Sequence, residues 1–162
     1  MKIALVVPAS PGYSETFFRS KIKGLQSHGN NVVLITAKKD MTFDLCEQYT
    51  HPKIYKNRVL QLVVMLWVFL GLSLNYKAVW AYYKLEQQEQ TPIKRILEKI
   101  YLNATLLKLE VDWLHFGFAT MAINRELVAE SINAKMAVSF RGFDMAIYPL
   151  KHKACYHLLW TK

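Results

Sequence analysis

Cysteine is scarce in this chain, and its scarcity excludes several classes of protein. The two cysteines, Cys46 and Cys155, lie far apart and match neither a zinc-binding nor a redox spacing. A disulfide framework of the kind that supports small secreted domains is therefore excluded, and two reduced thiols in a cytosolic protein are the preferred interpretation. The segment from Met1 to Val7 holds one lysine and too short an apolar stretch for a secretory signal. We therefore expect the protein to face the cytoplasm.

Acidic residues are also few: 12 Asp and Glu stand against 21 Lys and Arg, which gives a net charge of +9 at pH 7. Such a balance favours an anionic partner, which is nucleic acid, acidic lipid or a phosphorylated substrate. The sequence has no helix-turn-helix pattern, no RNP-type aromatic strand and no dense basic run, so we expect no nucleic acid partner. With 162 residues and no internal repeats, the chain is long enough for one domain with its own core.

The first 36 residues have the pattern of a β-loop-α-β unit. Two apolar runs, Lys2 to Val7 and Val32 to Thr36, are typical of buried strands. Between them, Phe18, Ile22 and Leu25 recur with the spacing of one helical face. A parallel pair of strands joined by a right-handed crossover is the expected geometry.

The loop between this first strand and helix is the first candidate site. Ligands of parallel sheets bind outside the carboxyl ends of the strands, which is where Pro8 to Tyr13 must lie. Gly12 allows a ligand to approach backbone amides, Ser14 can cap the helix, and Glu15 suits the positive end of its dipole. The same helix start offers a positive end to an anion. The loop is neither G-x-G-x-x-G nor a P-loop, so it carries no nucleotide fingerprint.

The remainder of the chain predicts alternating helices and strands. We first expect a polar connection over Ala37 to Lys56, an apolar helix over Val59 to Tyr76 and a polar break over Glu86 to Gln90. A helix from Pro92 to about Lys108 follows, with Ile93, Ile96, Leu97 and Ile100 on one face. The remaining elements are a strand over Val111 to Phe116, a helix over Thr120 to Ile132, a strand over Lys135 to Phe140 and a helix over Met145 to Trp160 with an early break at Pro149. This order predicts an α/β, Rossmann-like, mostly parallel sheet with helices on both faces.

The segment from Val59 to Tyr76 is unusual because it holds no charge across 18 residues. A helix of that length reaches about 27 Å, which is marginal for a bilayer. A spanning helix would also separate strands of one sheet, so we reject a transmembrane segment. Two interpretations stay open. The helix either lies on the membrane surface between its basic and aromatic flanks, as a peripheral contact, or is buried against the sheet or an absent partner domain.

Two further loops are expected at the carboxyl edge of the sheet. His115 ends the third strand, where an imidazole can bind a sugar hydroxyl or act as acid or base, although a lone histidine is more often a core residue. Arg141 follows the fourth strand and can clamp a phosphate or carboxylate, and Asp144 can accept from sugar hydroxyls or cap the next helix. The alternative is an Arg-Asp turn that only holds itself together.

Three ordered motifs carry a resemblance to a known family: PASPGYSETFF from Pro8, VDWLHFGF from Val111 and SFRGFD from Ser139. Together they resemble the amino-terminal domain of family 4 GT-B type glycosyltransferases of the colanic-acid and lipopolysaccharide kind. Many members carry a second histidine where this chain has Gly117. The resemblance implies His115 as catalytic residue, and the substrate-binding residues are then Gly12, Ser14, Glu15, Arg141, Gly142 and Asp144.

The resemblance also implies an activity, which is sugar transfer from a nucleoside-diphosphate sugar to a membrane glycolipid or growing polysaccharide. No metal and no cofactor are expected. The chain ends at Lys162, inside the helix after RGFD, so we expect an incomplete acceptor-side domain without the domain that binds the nucleotide-sugar. One alternative is a non-catalytic Rossmann-like binding or scaffold module. Another is a small nucleotide-dependent oxidoreductase, which the missing glycine fingerprint opposes.

Overall fold

A computed structural model describes residues 1–12 and 16–161, and its strands there form one sheet. The strands are β1 (Lys2–Val6), β2 (Asn31–Thr36), β3 (Glu47–Thr50), β4 (Trp113–Phe116) and β5 (Lys135–Val138). They lie in the order β3-β2-β1-β4-β5, and every neighbouring pair is parallel. The predicted α/β, Rossmann-like fold is confirmed.

The helices connect and cover these strands. They are α1 (Thr16–Ser27), α2 (Arg58–Leu70), α3 (Tyr76–Gln88), α4 (Ile93–Leu102), α5 (Ala104–Leu107), α6 (Ala119–Ala122), α7 (Val128–Ser131), α8 (Tyr148–Lys151) and α9 (His157–Thr161). A 3₁₀ turn occupies Ser73–Asn75, and a π-helical turn occupies Phe143–Ile147.

Alternation along the strands gives the sheet two apolar faces with separate cores. On one face, Phe18 and Ile22 of α1 pack with Leu5 and Leu34. On the other face, the strand residues that alternate with Leu5 and Leu34, such as Val6, pack with the helices from α3 to α7. Because side chains of a strand point alternately to opposite faces, one apolar run supplies both cores.

Several predicted elements differ from the structure. The strand β3 lies inside the predicted polar connection, and its sequence EQYT has no apolar run because the strand is at the edge of the sheet. The predicted helix over Thr120 to Ile132 is instead two short helices, α6 and α7, separated near Asn124, whose φ of 64° is left-handed. The predicted final helix is a π-helical turn followed by α8 and α9, and Pro149 lies in the first turn of α8, where proline is tolerated.

The polar break predicted at Glu86 to Gln90 is wrong at its first three residues, because α3 continues to Gln88. The helix α3 continues through Glu86, whose side chain is 1% exposed. Lys99 of α4 places its Nζ 2.8 Å from both carboxylate oxygens of Glu86, and the hydroxyls of Tyr82 and Thr91 donate to the same carboxylate. The carboxylate can be buried there because a cation and two hydroxyls replace its water. The paired helix α4 buries Ile96 and Ile100, whereas Ile93 and Leu97 of its predicted apolar face are exposed.

The apolar segment from Val59 to Tyr76 is not one helix: it comprises most of α2, the 3₁₀ turn Ser73–Asn75 and the first residue of α3. The helix α2 begins after Asn57, whose Oδ1 accepts from Val59 N and Leu60 N, and it ends at Gly71. No residue of α2 is buried, although Val68 and Phe69 pack partly against the core and Leu72, just after the helix, is buried. Burial against the sheet therefore covers only one end of the segment, and a partner domain over the rest stays a prediction. Within the described ranges no single helix is long and apolar enough to cross a membrane, although α2 and the stretch Ser73–Gln88, bent by 52°, have the length and composition together.

Candidate functional site

The carboxyl ends of β1, β4 and β5 lie side by side and bring three loops to one edge of the sheet. The register pairs Leu5 with His115 and His115 with Ala137. The loop that starts at Pro8 follows β1, and Arg141 follows β5 by three residues. His115 and Arg141 therefore lie at the same edge, as parallel topology requires for residues after neighbouring strands.

His115 lies on the face of β4 that points toward α1. Its neighbours Leu114 and Phe116 belong to the core on the opposite face. The His115 Nε2 lies 3.0 Å from Lys21 Nζ and 2.9 Å from Ser139 Oγ. Burial, and then the positive charge of Lys21, lower the pKa of His115 to about 4. The imidazole is therefore neutral at pH 7, but its lowered pKa makes it a weaker base than an ordinary histidine.

Lys21 and Ser139 were missed by sequence reasoning although both contact His115. Lys21 lies on α1 beside the buried Ile22, at the border of the apolar face, where its side chain is half-buried. Ser139 is two residues beyond Ala137 and so lies on the same face of the sheet as His115. The sequence does contain two signals for these residues: a lysine at the border of an apolar helix face and a serine directly after a strand. Neither signal identifies a partner without the packing of α1 on the sheet.

Arg141 lies against three aromatic rings. Its guanidinium carbon is 4.7 Å from the ring centre of Phe17, 4.6 Å from that of Phe18 and 4.8 Å from that of Phe118. Among residues 1–12 and 16–161, no carboxylate forms a salt bridge with Arg141 or with Lys21. The rings restrict the plane of the guanidinium by cation–π contact, and its hydrogen-bonding edge pairs with no carboxylate of the described residues.

Asp144 is 1% exposed, and its carboxylate binds backbone amides. One oxygen accepts from Arg141 N at 3.1 Å, and the other accepts from Thr120 N at 3.2 Å. Of the two sequence interpretations, this geometry matches a carboxylate that holds the loop after β5 rather than one that faces a sugar hydroxyl. The backbone of Arg141 is thereby fixed by Asp144, while its guanidinium lies on the rings.

The predicted glycines differ in their surroundings. Gly12 and Gly142 are exposed, and a Cβ added at either would meet no atom of the described residues within 4 Å beyond its chain neighbours. Gly117 is buried, and an added Cβ would lie 2.8 Å from Val7 Cγ1 and 2.9 Å from the ring of Phe18. The second histidine of the resembled family therefore has no room at this position. The predicted site residues Ser14 and Glu15 lie outside the described residues.

We define the donor cluster as Lys21, His115, Ser139 and Arg141. It is rich in N–H and O–H groups and carries positive charge, which suits an anionic ligand. In the part of the chain that the structure describes, no group of three His, Cys, Asp or Glu side chains could hold a metal ion. No protein-family model, curated protein or solved structure matches this chain.

Proposed function

We propose that this chain is the acceptor-binding portion of a glycosyltransferase that moves a sugar from a nucleoside-diphosphate sugar to a membrane glycolipid or polysaccharide precursor. One observation carries the proposal. His115 and Arg141, which come from two separate motifs of the resemblance, lie at one sheet edge and share the neighbour Lys21. The third motif supplies the loop after β1, which begins at that edge.

In this role His115 is the base. During transfer the acceptor oxygen bonds to the anomeric carbon, the bond from that carbon to the phosphate oxygen breaks, and the nucleoside diphosphate leaves with the electron pair. The hydroxyl proton of the acceptor passes to His115, which is neutral at pH 7. Burial and Lys21 lower its pKa to about 4, so the step requires an anion, such as the phosphate of the substrate, to offset the charge of Lys21. Arg141 and Lys21 supply positive charge where phosphate oxygens collect.

A membrane-linked acceptor fits the surface of α2. The helix exposes large apolar side chains, including Trp67 at 71% exposure, and has no buried residue. The basic residues on both sides of the segment are Lys53, Lys56, Arg58, Lys77 and Lys84. Apolar burial together with attraction to anionic headgroups is the mode of a peripheral membrane helix. We therefore propose peripheral contact with the inner face of the membrane from the cytoplasmic side, through Val59 to Tyr76.

The second candidate function is a non-catalytic binding or scaffold module. Two observations favour it: the Asp144 carboxylate is engaged by backbone amides, and Gly117 leaves no room for a second histidine. Such a module would use the same exposed α2 surface without any sugar chemistry.

Co-sedimentation with defined vesicles tests these two functions. Two sets of vesicles carry a glycolipid, which is a polyprenyl-diphosphate-linked monosaccharide in one set and a lipopolysaccharide core glycolipid in the other. A third set carries phosphatidylglycerol at equal charge. An acceptor-binding domain should prefer a glycolipid set, and His115→Ala or Arg141→Lys should remove the preference. The exposed Lys23 on the same helix as Lys21 provides the control, so Lys23→Gln should keep it. Equal binding to all sets supports the scaffold module and contradicts the glycosyltransferase.

A further inference from the structure

The donor cluster holds more hydrogen-bond donors than acceptors. Lys21 Nζ and Ser139 Oγ both approach the same atom, Nε2 of His115, at 3.0 and 2.9 Å. An ammonium carries three donors and no acceptor, a hydroxyl carries one donor, and an imidazole nitrogen offers one lone pair at most. If Nε2 is unprotonated, one lone pair serves two donors. If it is protonated, Lys21 faces another N–H group.

The positive charges of the cluster also have no carboxylate partner among residues 1–12 and 16–161. Burial, followed by the positive charge of Arg141, lowers the pKa of Lys21. Like charges in a half-buried position repel each other, and an anion between them would relieve the repulsion and accept the surplus hydrogens.

We propose that the donor cluster binds a phosphoryl oxyanion, held between α1 and the loops that follow β4 and β5. The proposal deepens the function given above and rests on it, because donors and lipid-linked acceptors of sugar transfer both carry phosphate. A phosphoryl group has enough terminal oxygens to accept from Lys21, Arg141 and Ser139 at once. The rings of Phe17, Phe18 and Phe118 hold the guanidinium in one plane, so its fork is ordered before the ligand arrives.

Phosphate binding would also change the partner of His115. With the oxyanion in place, Lys21 donates to phosphate oxygen instead of to Nε2. Because Ser139 then also donates to the phosphate, the Nε2 lone pair of His115 is free for the hydroxyl group of a bound substrate. The negative charge of the ligand offsets Lys21, so the imidazole becomes a stronger base when the phosphate is bound.

Nuclear magnetic resonance of the histidine side chains tests the proposal on the 162-residue chain. Inorganic phosphate is titrated at constant ionic strength set by chloride. We expect a saturable shift of the His115 resonances, binding at least about tenfold weaker in Lys21→Gln, and clearly weaker binding in Arg141→Lys, which keeps the charge but loses the fork. Lys23→Gln removes one charge from the same helix and should bind as the parent does. Circular dichroism confirms that each variant is folded, and Lys21→Gln decides the test if Arg141→Lys does not fold.

The results separate this site from general charge attraction. A parent chain whose His115 resonances do not shift at millimolar phosphate contradicts the proposal. Equal weakening in Lys21→Gln and Lys23→Gln also contradicts it, because the effect would then follow net charge alone. Uridine diphosphate and glycerol phosphate, titrated in the same way, distinguish a nucleotide source of the phosphate from a lipid-headgroup source. Phosphate binding without preference for glycolipid vesicles supports this site while contradicting the glycosyltransferase. If the chain binds no phosphate and its preference for glycolipid vesicles persists in Lys21→Gln, the glycosyltransferase function is supported and the phosphate site is contradicted.

Discussion

Lys21 Nζ lies 3.0 Å from His115 Nε2, although 94 positions separate the two residues in the chain. Burial is the larger cause of the lowered pKa of His115, and the charge of Lys21 is the second. Lys21→Gln should therefore raise the pKa of His115 above about 4, while burial keeps it below its ordinary value of 6.5. The pH dependence of the His115 imidazole shifts measures this change. An unchanged pKa in Lys21→Gln would show that the contact has no electrostatic effect.

The distance between these residues also shows what the sequence can predict. The strands β1 and β2 were predictable because their apolar runs are continuous, and His115 and Arg141 were predictable as residues that end or follow strands. The role of Lys21 was not predictable, because it depends on how α1 packs across the sheet. Tertiary contacts of this kind leave no periodic signal in a single sequence.

The buried pair of Glu86 and Lys99 gives a prediction about stability. Lys99→Met should lower the free energy of unfolding by about 3–5 kcal/mol, because it leaves the carboxylate of Glu86 buried without its cation. Chemical denaturation measures the change. The double variant Glu86→Gln with Lys99→Met should recover part of the loss. The exposed pair of Arg95 and Glu98 is the control, and Glu98→Gln should cost about 0–1 kcal/mol.

The same pair explains why the polar break was predicted wrongly. EQQEQ reads as solvated because its five residues are polar, and the carboxylate at its start becomes buried only through a lysine 13 positions later. A cation on a different helix therefore decides whether this turn of α3 faces water.

Gly117 and Gly24 form a matched pair for a packing test. Gly117→Ala should lower the free energy of unfolding by about 1–3 kcal/mol, because the new methyl group would lie within 3 Å of Val7 and Phe18. In Gly24, inside α1, an added Cβ meets no atom within 4 Å, so Gly24→Ala should be neutral or stabilise by up to about 1 kcal/mol through helix propensity. Thermal unfolding of both variants measures the difference. Equal stability of the two would contradict the close approach at Gly117.

His51 predicts a loss of stability in mild acid. Burial, then the charge of Arg125, lowers the pKa of His51 to about 4, and both ring nitrogens are buried without a hydrogen-bond partner in the described structure. His51 takes up a proton near pH 6.5 in the unfolded chain but only near pH 4 in the folded chain. The contribution of neutral His51 to the free energy of unfolding is therefore fully present above pH 6.5 and is lost as the pH falls toward 4. His115 acts in the same direction.

His51→Leu isolates the contribution of His51. Between pH 6.5 and 4, the free energy of unfolding of this variant should depend less steeply on pH than that of the parent, and His115 should account for part of the remaining slope. Above pH 7 the slopes of the two proteins should coincide, since neither histidine titrates there. Denaturation curves at several pH values provide both slopes. Parallel curves between pH 6.5 and 4 would contradict the lowered pKa of His51.

Trp67 and Phe69 separate membrane contact from folding, because they lie on α2 with different surroundings. Trp67 is exposed, whereas Phe69 is half-buried against the core and lines an apolar groove of about 450 Å³. Trp67→Ser should weaken binding to anionic vesicles and leave stability unchanged. Phe69→Ser should lower the free energy of unfolding, but by less than the loss of about 3–5 kcal/mol that follows truncation of a fully buried phenylalanine. Vesicle co-sedimentation and circular dichroism measure the two effects.

Salt provides the second part of this test. Each Lys or Arg close to an anionic surface contributes about 1 kcal/mol, and the flanks of α2 include Lys56, Arg58 and Lys77. Raising the salt concentration should therefore weaken binding without abolishing it, because apolar burial of residues such as Trp67 persists when charges are screened. Binding of Trp67→Ser that equals that of the parent would contradict contact through this face of α2. If the parent chain does not bind anionic vesicles even at low salt, membrane association is contradicted. The exposed apolar side chains of α2 would then be expected to pack against a partner domain.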